Sequence, residues 1–338
     1  MMGEKRGGFA VDALLTIYHP ELPTFLAPFL ALPELERLRQ VGMNCGCEYT
    51  AFPRFHGLPE SSRYHHSLGA ALITWHFTGE RAPTLAALFH DIATPVFAHT
   101  VDFLRGDYLA QEATEDGTGE LLRRSGELSK LLAPLGLAVE DVEDYHQYPV
   151  ADNDSPRLSA DRLEYTLRNI LHYRFGSLED LRRFYGDLRV TAESGVTELA
   201  FENPDTARSF AFAALGCSEI YVSPEDRYAM QRLSELLGDA IQRGVLKPED
   251  LYGVEPDVIA RLKSDPETAS AWSDYCALHE MVTDASAPRS DRRIVRAKKR
   301  CIDPWVTGQG RLSGIDPAVA AALNAFRAES QDGWLCAR

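Results

Sequence analysis

The chain has 338 residues, of which 45% are hydrophobic and 25% charged, a composition typical of a soluble globular protein with a sizeable core. Its formal net charge of -15 argues against broad binding to nucleic acid or anionic membranes, because either partner would repel most of the surface. No stretch approaches the ~20 apolar residues of a membrane span, and the first residues lack the apolar run of a signal peptide, so we expect a cytoplasmic protein.

Most of the sequence has the hydrophobic periodicity of helices. Proline, glycine or serine residues punctuate the pattern, as expected between helices. Apolar residues recur at helical spacing in five segments: Leu32 to Val41, Leu68 to Phe77, Leu85 to Ile92, Leu158 to Leu171 and Met230 to Ile241. We therefore expect a mainly α fold.

Residues 187–201 depart from this helical pattern. Apolar and polar residues alternate from Leu188, a turn-forming Glu193-Ser194-Gly195 follows, and apolar residues return from Val196. This pattern predicts a small β-hairpin insert. We expect residues 1–185 to form a helical core, and residues 186–338 to form a mainly helical C-terminal part that carries the hairpin and packs on that core. The polar segments 111–120 and 286–292 predict loops, the first of them a loop or a lid.

The cysteines do not form a recognisable metal or disulfide pattern. The six are scattered without a Cys-x-x-Cys pair, so neither a zinc ribbon nor a disulfide framework is indicated. Cys45 and Cys47 are the one close pair, and we interpret them as small buried residues in a turn.

Residues 84–103 place a histidine and an aspartate at the end of an apolar helix. Thr84 is a plausible N-cap, and Pro95 limits the helix so that His90 and Asp91 fall in its last turn. An imidazole and a carboxylate in an apolar setting are costly unless they are paired or bind a metal.

The next carboxylate lies in a helix that Ser159 is expected to cap. Asp161, Tyr165, Arg168 and His172 are three or four residues apart and therefore share the face opposite the apolar one. That face is either solvated, with its charged groups paired along the helix, or part of a site.

Two imidazoles and two carboxylates are thus spread over three predicted helices. Such ligands suit a catalytic divalent metal with open coordination positions, whereas a structural zinc site favours thiolates. The candidate ligands are His66, His90, Asp91 and Asp161.

In their order and spacing these segments resemble the HD-domain phosphohydrolases, specifically the deoxynucleoside triphosphate triphosphohydrolase branch. The family pattern is Arg-x-x-His-Ser-Leu-Gly, then His-Asp-x-x-x-x-Pro-Phe-x-His-x-x-Asp/Glu, then Asp-Arg-x-Asp-Tyr. The matching residues are Arg63, His66, Ser67, Leu68 and Gly69, then His90, Asp91, His99 and Asp102, then Asp161, Arg162 and Tyr165. The resemblance spans roughly residues 10 to 310 and implies the helical HD-domain fold.

The resemblance also implies roles for these residues. One divalent ion (Mn, Fe, Co, Ni, Zn or Mg) would be held by the four candidate ligands, and its identity is left open. His99 would be the catalytic imidazole, as a general acid, and Asp102 would orient it or the attacking water. Arg63 and Arg162 would contact phosphate oxygens and Tyr165 the sugar, although an ion pair for Arg162 and a core position for Tyr165 are equally open.

Adjacent helical residues point about 100° apart, so His65 is not expected to reach an ion bound by His66. We expect it beside the site or on the surface. The basic run Arg296 to Arg300 is either a solvated cluster or a phosphate contact, in the active site or across the interface of a homo-oligomer.

Several residues depart from the family pattern in ways that bear on the substrate. Thr94 stands where well-studied branches carry His or Asn, and Gln111-Glu112 stands where some members carry His-Glu. Glu164 replaces the usual Asp, and Asn169 replaces an Asp found in other members. We expect hydrolysis of a deoxynucleoside triphosphate to nucleoside and tripolyphosphate. The alternatives are a nucleoside monophosphatase or other phosphoester hydrolase, and a nucleotide sensor without turnover.

Overall fold

The computed structural model describes residues 8–106, 117–282 and 293–338. In these ranges the chain is mainly helical, with two small sheets. Its helices are α1 Gly8–Tyr18, α2 Ala27–Leu30, α3 Pro33–Glu36, α4 Arg63–Thr78, α5 Arg81–Phe89, α6 Thr100–Arg105, α7 Thr118–Arg124, α8 Gly126–Leu132, α9 Ala160–His172, α10 Leu178–Gly186, α11 Pro204–Tyr221, α12 Pro224–Gln242, α13 Glu255–Ser264, α14 Pro266–Cys276, α15 Leu312–Ile315 and α16 Pro317–Ala328. The prediction of a mainly α fold is confirmed.

Helices α4, α5 and α9 form the centre of the molecule, with α4 packed against both of the others. The start of α5 differs from the prediction: the helix begins at Arg81, and Thr84 lies inside it with its hydroxyl donating to the carbonyl of Glu80 at 2.6 Å. The helix ends at Phe89, so His90 is its C-cap and Asp91 lies in the turn that follows. The N-cap predicted from the sequence lies one turn too late, because the three residues before Thr84 carry little apolar periodicity.

Helix α9 begins as predicted, since the Ser159 hydroxyl accepts the amide of Arg162 at 3.3 Å. On its apolar face Leu163, Leu167 and Ile170 are fully buried, and Leu171 is partly buried. The opposite face is not solvated: Arg168 has no exposed surface and His172 is 6% exposed. The Arg168 charge therefore lies inside the protein, where burial requires a partner. His172 is neutral, because burial and the Arg168 charge lower its pKa to about 4.

The segment Leu32 to Val41 is not one helix. Helix α3 stops at Glu36, and a 3-10 turn, Arg37–Gln40, continues it. The Arg37 guanidinium leaves this turn to donate to three backbone carbonyls, of Ile92, Thr94 and Gly253. Arg37 thus joins the start of the chain to the turn after His90 and to the C-terminal part.

The predicted hairpin is present, within a larger sheet. Strands β1 (Leu188–Thr191) and β2 (Glu198–Phe201) pair antiparallel. Strand β4 (Trp305–Val306) pairs parallel to β2, and β5 (Gly310–Arg311) completes a four-stranded sheet. The short strands β3 (Arg293–Ile294) and β6 (Trp334–Leu335) form a second pair. Two-residue strands are too short to show a period-2 pattern, so the sequence did not indicate them.

The main hydrophobic core contains residues from both halves of the chain, including Leu14 of α1, Leu163 of α9 and Phe326 of α16. A second core lies around α12 and includes Phe97 and Trp272. The boundary at residue 185 stays a prediction. Among the described residues no helix has the length and apolar character needed to cross a bilayer. Residues 111–116 and the loop 286–292 lie outside the described ranges.

Candidate metal centre and acid-base site

Three predicted ligands from three different helices meet at one point. The Nε2 atoms of His66 on α4 and His90 at the end of α5 lie 3.1 Å apart, and Asp161 Oδ1 on α9 lies 3.0 Å from the first and 3.6 Å from the second. Both imidazoles are buried, and the Asp161 side chain is 18% exposed. Of the three side chains, Asp161 is thus the one most exposed to solvent.

The second nitrogen of each imidazole fixes its tautomer. His66 Nδ1 lies 2.6 Å from Glu164 Oε2, and His90 Nδ1 lies 2.7 Å from the carbonyl of Ala87. A carbonyl can only accept a hydrogen bond, and an ionised carboxylate likewise, so Nδ1 carries the proton in each ring. When both rings are neutral, the two Nε2 lone pairs point into the same space, which is favourable only around a cation, either a metal ion or a proton shared with Asp161.

Asp91 stands at the edge of this cluster. Its Oδ2 lies 3.6 Å from His90 Nε2 and 3.8 Å from His66 Nε2, and accepts from Arg63 Nη1 at 2.7 Å. Its Oδ1 accepts from the Thr94 hydroxyl at 2.8 Å. Burial would raise the pKa of Asp91, but the Arg63 charge and the two imidazoles hold it well below its usual value. Asp91 is therefore ionised, and Arg63 forms an ion pair with it in this structure.

Glu164 is a component that sequence analysis did not place in the site. It is fully buried, accepts from His66, and forms an ion pair with Arg168, whose side chain is equally buried. Burial opposes ionisation, but Arg168 and His66 lower the pKa of Glu164 below its usual value. The signal was the spacing: Glu164 is three residues after Asp161 and four before Arg168, so the three share one side of the helix.

The charges of this cluster are interdependent. Burial would lower the pKa of His66, but hydrogen bonds with Asp161 and Glu164 raise it to about 9. The same contact with His66 lowers the pKa of Asp161 to about 2 against the effect of burial. In the absence of any other cation, a proton on His66 neutralises the site, and a bound metal ion would compete with that proton.

His99 and Asp102 lie together, which agrees with the orienting role that the resemblance implied for Asp102. His99 Nδ1 is 2.9 Å from Asp102 Oδ2, with the imidazole 24% exposed and the carboxylate fully buried. Burial lowers the pKa of His99, and the charges of Arg300 and Arg63 act in the same direction. The neutral ring donates from Nδ1 to Asp102, so its Nε2 is available to accept a proton. A general-acid role requires that the ring first takes up a proton at Nε2.

The two remaining substrate candidates differ in their surroundings. Arg162 is held by its own neighbours: Nη2 contacts Asn153 Oδ1 at 2.7 Å and Asp152 Oδ1 at 3.1 Å. Tyr165 stands beside the cluster, with its ring centroid 6.4 Å from that of His66. Contacts of either residue with a substrate stay predictions.

Two other features of the sequence, His65 and the basic run, are placed by the structure. His65 lies outside the cluster, with Nδ1 2.9 Å from the Ser62 hydroxyl. In the basic run, Arg296 pairs with Asp332, and Lys299 donates to backbone carbonyls at the C-terminal end of α16. The charge of Arg300 acts on His99. Arg300 is thus a residue of the run whose charge reaches the site, since it also acts on Tyr165.

The donor set fits a divalent ion. With metal–ligand bonds of about 2.1 Å, neighbouring ligand atoms lie about 3.0 to 3.4 Å apart in octahedral or tetrahedral geometry. The separations between His66 Nε2, His90 Nε2 and Asp161 Oδ1, 3.0 to 3.6 Å, are close to that range. Two neutral imidazoles with one or two carboxylates suit Mn, Fe, Co, Ni or Zn.

Comparison with known proteins gives distant relatives. No protein-family model matches the chain. The metal-dependent phosphohydrolase cns2 of Cordyceps militaris is 23% identical over 304 residues, covering 87% of this chain and 84% of that protein. The uncharacterised protein YdhJ of Bacillus subtilis is 24% identical over 208 residues, 60% of this chain, and the match spans 61% of its length.

Solved structures resemble the chain over nearly its full length. A hypothetical protein from Aquifex aeolicus superposes with a TM-score of 0.63 at 17% identity, covering 89% of this chain and 90% of its own. A phosphohydrolase from Bacteroides thetaiotaomicron superposes with a TM-score of 0.61 at 15% identity, covering 94% and 96%. The chain therefore has the mainly helical fold of these two proteins, and the HD-like fold expected from its sequence is confirmed.

Proposed function

We propose that this protein is a metal-dependent phosphohydrolase that acts on nucleotides, and that it hydrolyses a deoxynucleoside triphosphate to nucleoside and tripolyphosphate. The observation that carries the proposal is the convergence of His66 Nε2, His90 Nε2 and Asp161 Oδ1. The His99–Asp102 pair is linked to this cluster through Arg63, which contacts Asp91 and whose charge also acts on His99. The similarity to a metal-dependent phosphohydrolase and to the fold of another phosphohydrolase supports hydrolase activity.

In this proposal His66, His90, Asp91 and Asp161 bind one divalent ion. When bound, such an ion supplies Lewis-acid polarisation of a phosphoryl oxygen and activation of water. Glu164 and the carbonyl of Ala87 hold the two imidazoles in the metal-binding tautomer. Arg63 keeps Asp91 ionised and in place through their 2.7 Å contact.

In this proposal His99 carries a proton from the attacking water to the leaving group. At neutral pH its unprotonated Nε2 accepts a proton from water, and the imidazolium that forms is stabilised by Asp102 at 2.9 Å. The protonated ring then donates to the oxygen of the leaving group. In this proposal Arg162 and Tyr165, which follow Asp161 on α9, bind phosphate and sugar. Arg300, from the C-terminal part, adds positive charge to the site.

The experiment is product identification with metal-loaded protein and a panel of nucleoside mono- and triphosphates. Phosphorus NMR distinguishes tripolyphosphate from orthophosphate, and chromatography identifies the nucleoside. Asp161→Ala is the inactive control, because it removes a candidate metal ligand whose side chain is partly exposed. Asp154→Ala, at an exposed position before α9, is the matched control that should retain activity.

Each outcome decides between functions. Tripolyphosphate and nucleoside from a deoxynucleoside triphosphate, lost in Asp161→Ala, support the proposal. Orthophosphate from monophosphates assigns a nucleoside monophosphatase instead. Nucleotide binding without turnover for every metal tested assigns a sensor, and His99→Ala should then leave ligand binding unaffected.

A further inference from the structure

The backbone directly before His99 has an unusual conformation. Phe97 has a φ of 58° and Ala98 a φ of 43°, so two successive residues with side chains occupy the left-handed region. This region is strained for residues other than glycine, and such conformations persist only where surrounding contacts impose them. The two residues set the direction in which His99 leaves the turn.

The contacts that impose this turn come mainly from the C-terminal part of the chain. The amide of Val96 donates to the carbonyl of Leu251 at 2.7 Å, and the amide of Phe97 makes a longer contact, 3.4 Å, with Glu255 Oε1. The Phe97 ring packs edge-on against Tyr49, with centroids 6.0 Å apart. Glu255, the first residue of α13, is 3% exposed.

The Glu255 carboxylate also binds two other segments. Its Oε1 accepts the amide of Gly42 at 2.8 Å, and its Oε2 accepts the Tyr49 hydroxyl at 2.7 Å. Gly42 pairs with Ser62, immediately before α4, which carries His66. A single side chain therefore joins the segment that leads to the metal ligands, the ring that supports Phe97, and the turn that precedes His99.

We infer that Glu255 is a positioning residue, which fixes the distance between the His99 imidazole and the metal cluster by holding the left-handed Phe97–Ala98 turn. Glu255 does not touch the cluster or His99 and acts through the backbone. The inference rests on the proposed function, because it assigns Glu255 an effect on the step that His99 performs.

The test compares Glu255→Leu, which keeps most of the volume but removes every acceptor, with Glu255→Gln, whose one amide oxygen can still accept the Gly42 and Phe97 amides. Glu249→Gln, an exposed change six residues earlier, is the matched control. The expected result is a kcat about tenfold or more lower in Glu255→Leu, with KM and the Mn²⁺ dissociation constant within threefold of wild type, and recovery in Glu255→Gln.

Two further measurements separate positioning from a general loss of structure. In a His99→Ala background, Glu255→Leu should lower the residual kcat no further, because the group that it positions is absent. Amide hydrogen exchange at Phe97 and Ala98 should accelerate about tenfold or more in Glu255→Leu and stay unchanged in Glu249→Gln.

The inference is overturned if kcat falls by the same factor with and without His99, if only KM or metal affinity changes, or if exchange in the turn is unaltered. Should Glu255→Leu fail to unfold cooperatively, Glu255→Asp replaces it; its shorter side chain cannot reach all three donors, and the same pattern is expected. If wild type turns over no nucleotide, the proposed function fails, and hydrogen exchange alone still tests whether Glu255 holds the turn.

Discussion

Glu164 offers the sharpest test of how this site is built, through the substitution Glu164→Gln. The change keeps the volume of the side chain and removes its charge. In the wild-type structure this carboxylate lies 2.6 Å from His66 Nδ1 and pairs with Arg168, and both carboxylate and guanidinium have no exposed surface. Two distinct losses are therefore expected.

The first loss is in metal affinity. The amide oxygen is a weaker acceptor than a carboxylate, so His66 is less firmly held with Nδ1 protonated and Nε2 directed at the ion. Loss of such a supporting contact typically costs 10- to 100-fold in affinity, about 1.4 to 2.7 kcal/mol. The second loss is in folding, because Arg168 keeps its buried charge without a counter-charge, which costs about 3 to 5 kcal/mol.

The two losses are measured separately. Mn²⁺ binding is followed by competition with a chelating dye, and the free energy of unfolding by urea titration of the metal-free protein. Glu219→Gln, an exposed change on α11, is the matched control. In the double variant Glu164→Gln with Arg168→Met both buried charges are gone, so stability should recover while metal affinity stays low.

The reasoning is refuted if Glu164→Gln binds Mn²⁺ within twofold of wild type, since His66 would then not depend on this contact. It is also refuted if the double variant regains metal affinity together with stability. That result would mean that the affinity loss came from distortion around Arg168 rather than from the freed imidazole.

Three further outcomes are expected. Asp102→Asn should lower kcat about 100-fold or more with little change in metal affinity, because an amide cannot stabilise protonated His99 as the carboxylate does; an unchanged kcat would exclude His99 as the proton carrier. Burial and the nearby Glu255 carboxylate raise the pKa of Glu48 from 4.5 to about 8. Between these pH values the folded protein keeps a proton on Glu48 that the unfolded chain has lost. The free energy of unfolding should therefore fall as the pH rises through this range. In urea titrations Glu48→Gln should flatten that fall, and an equal slope in both proteins would contradict it. A divalent ion at 100 times its dissociation constant should raise the free energy of unfolding by about 2.7 kcal/mol, measured against the same protein in chelator, and His90→Ala should abolish the gain.

Local sequence patterns were sufficient for two of the helices that carry candidate ligands, α4 and α9. The apolar periodicity of α4 and α9, and the Ser159 cap, place His66 and Asp161 at defined positions because side-chain direction in a helix follows from residue number. The His99–Asp102 contact was equally local, since the two residues are three apart at the start of α6. These features depend on near neighbours in the chain, which a sequence displays directly.

The start of α5 and the division of residues 32–41 into a short helix and a 3-10 turn were less predictable. Both depend on competition between weak local preferences and tertiary contacts, such as the three carbonyls that bind the Arg37 guanidinium from distant segments. A pattern within one segment contains no information about such partners.

The sequence by itself determined the fold class, and it predicted the types of the candidate metal ligands and their order along the chain, because these follow from periodicity, capping and the chemistry of the side chains. Only the tertiary structure decided that Glu164 and Arg168 are buried behind His66, that β4 extends the hairpin into a sheet, and that Glu255 supports the turn before His99. Each of these depends on residues that are close in space but, apart from Glu164 and Arg168, more than 90 positions apart in sequence. The burial of that one local pair was decided by the helices packed around α9, and burial sets both the cost of a charge and the need for a partner.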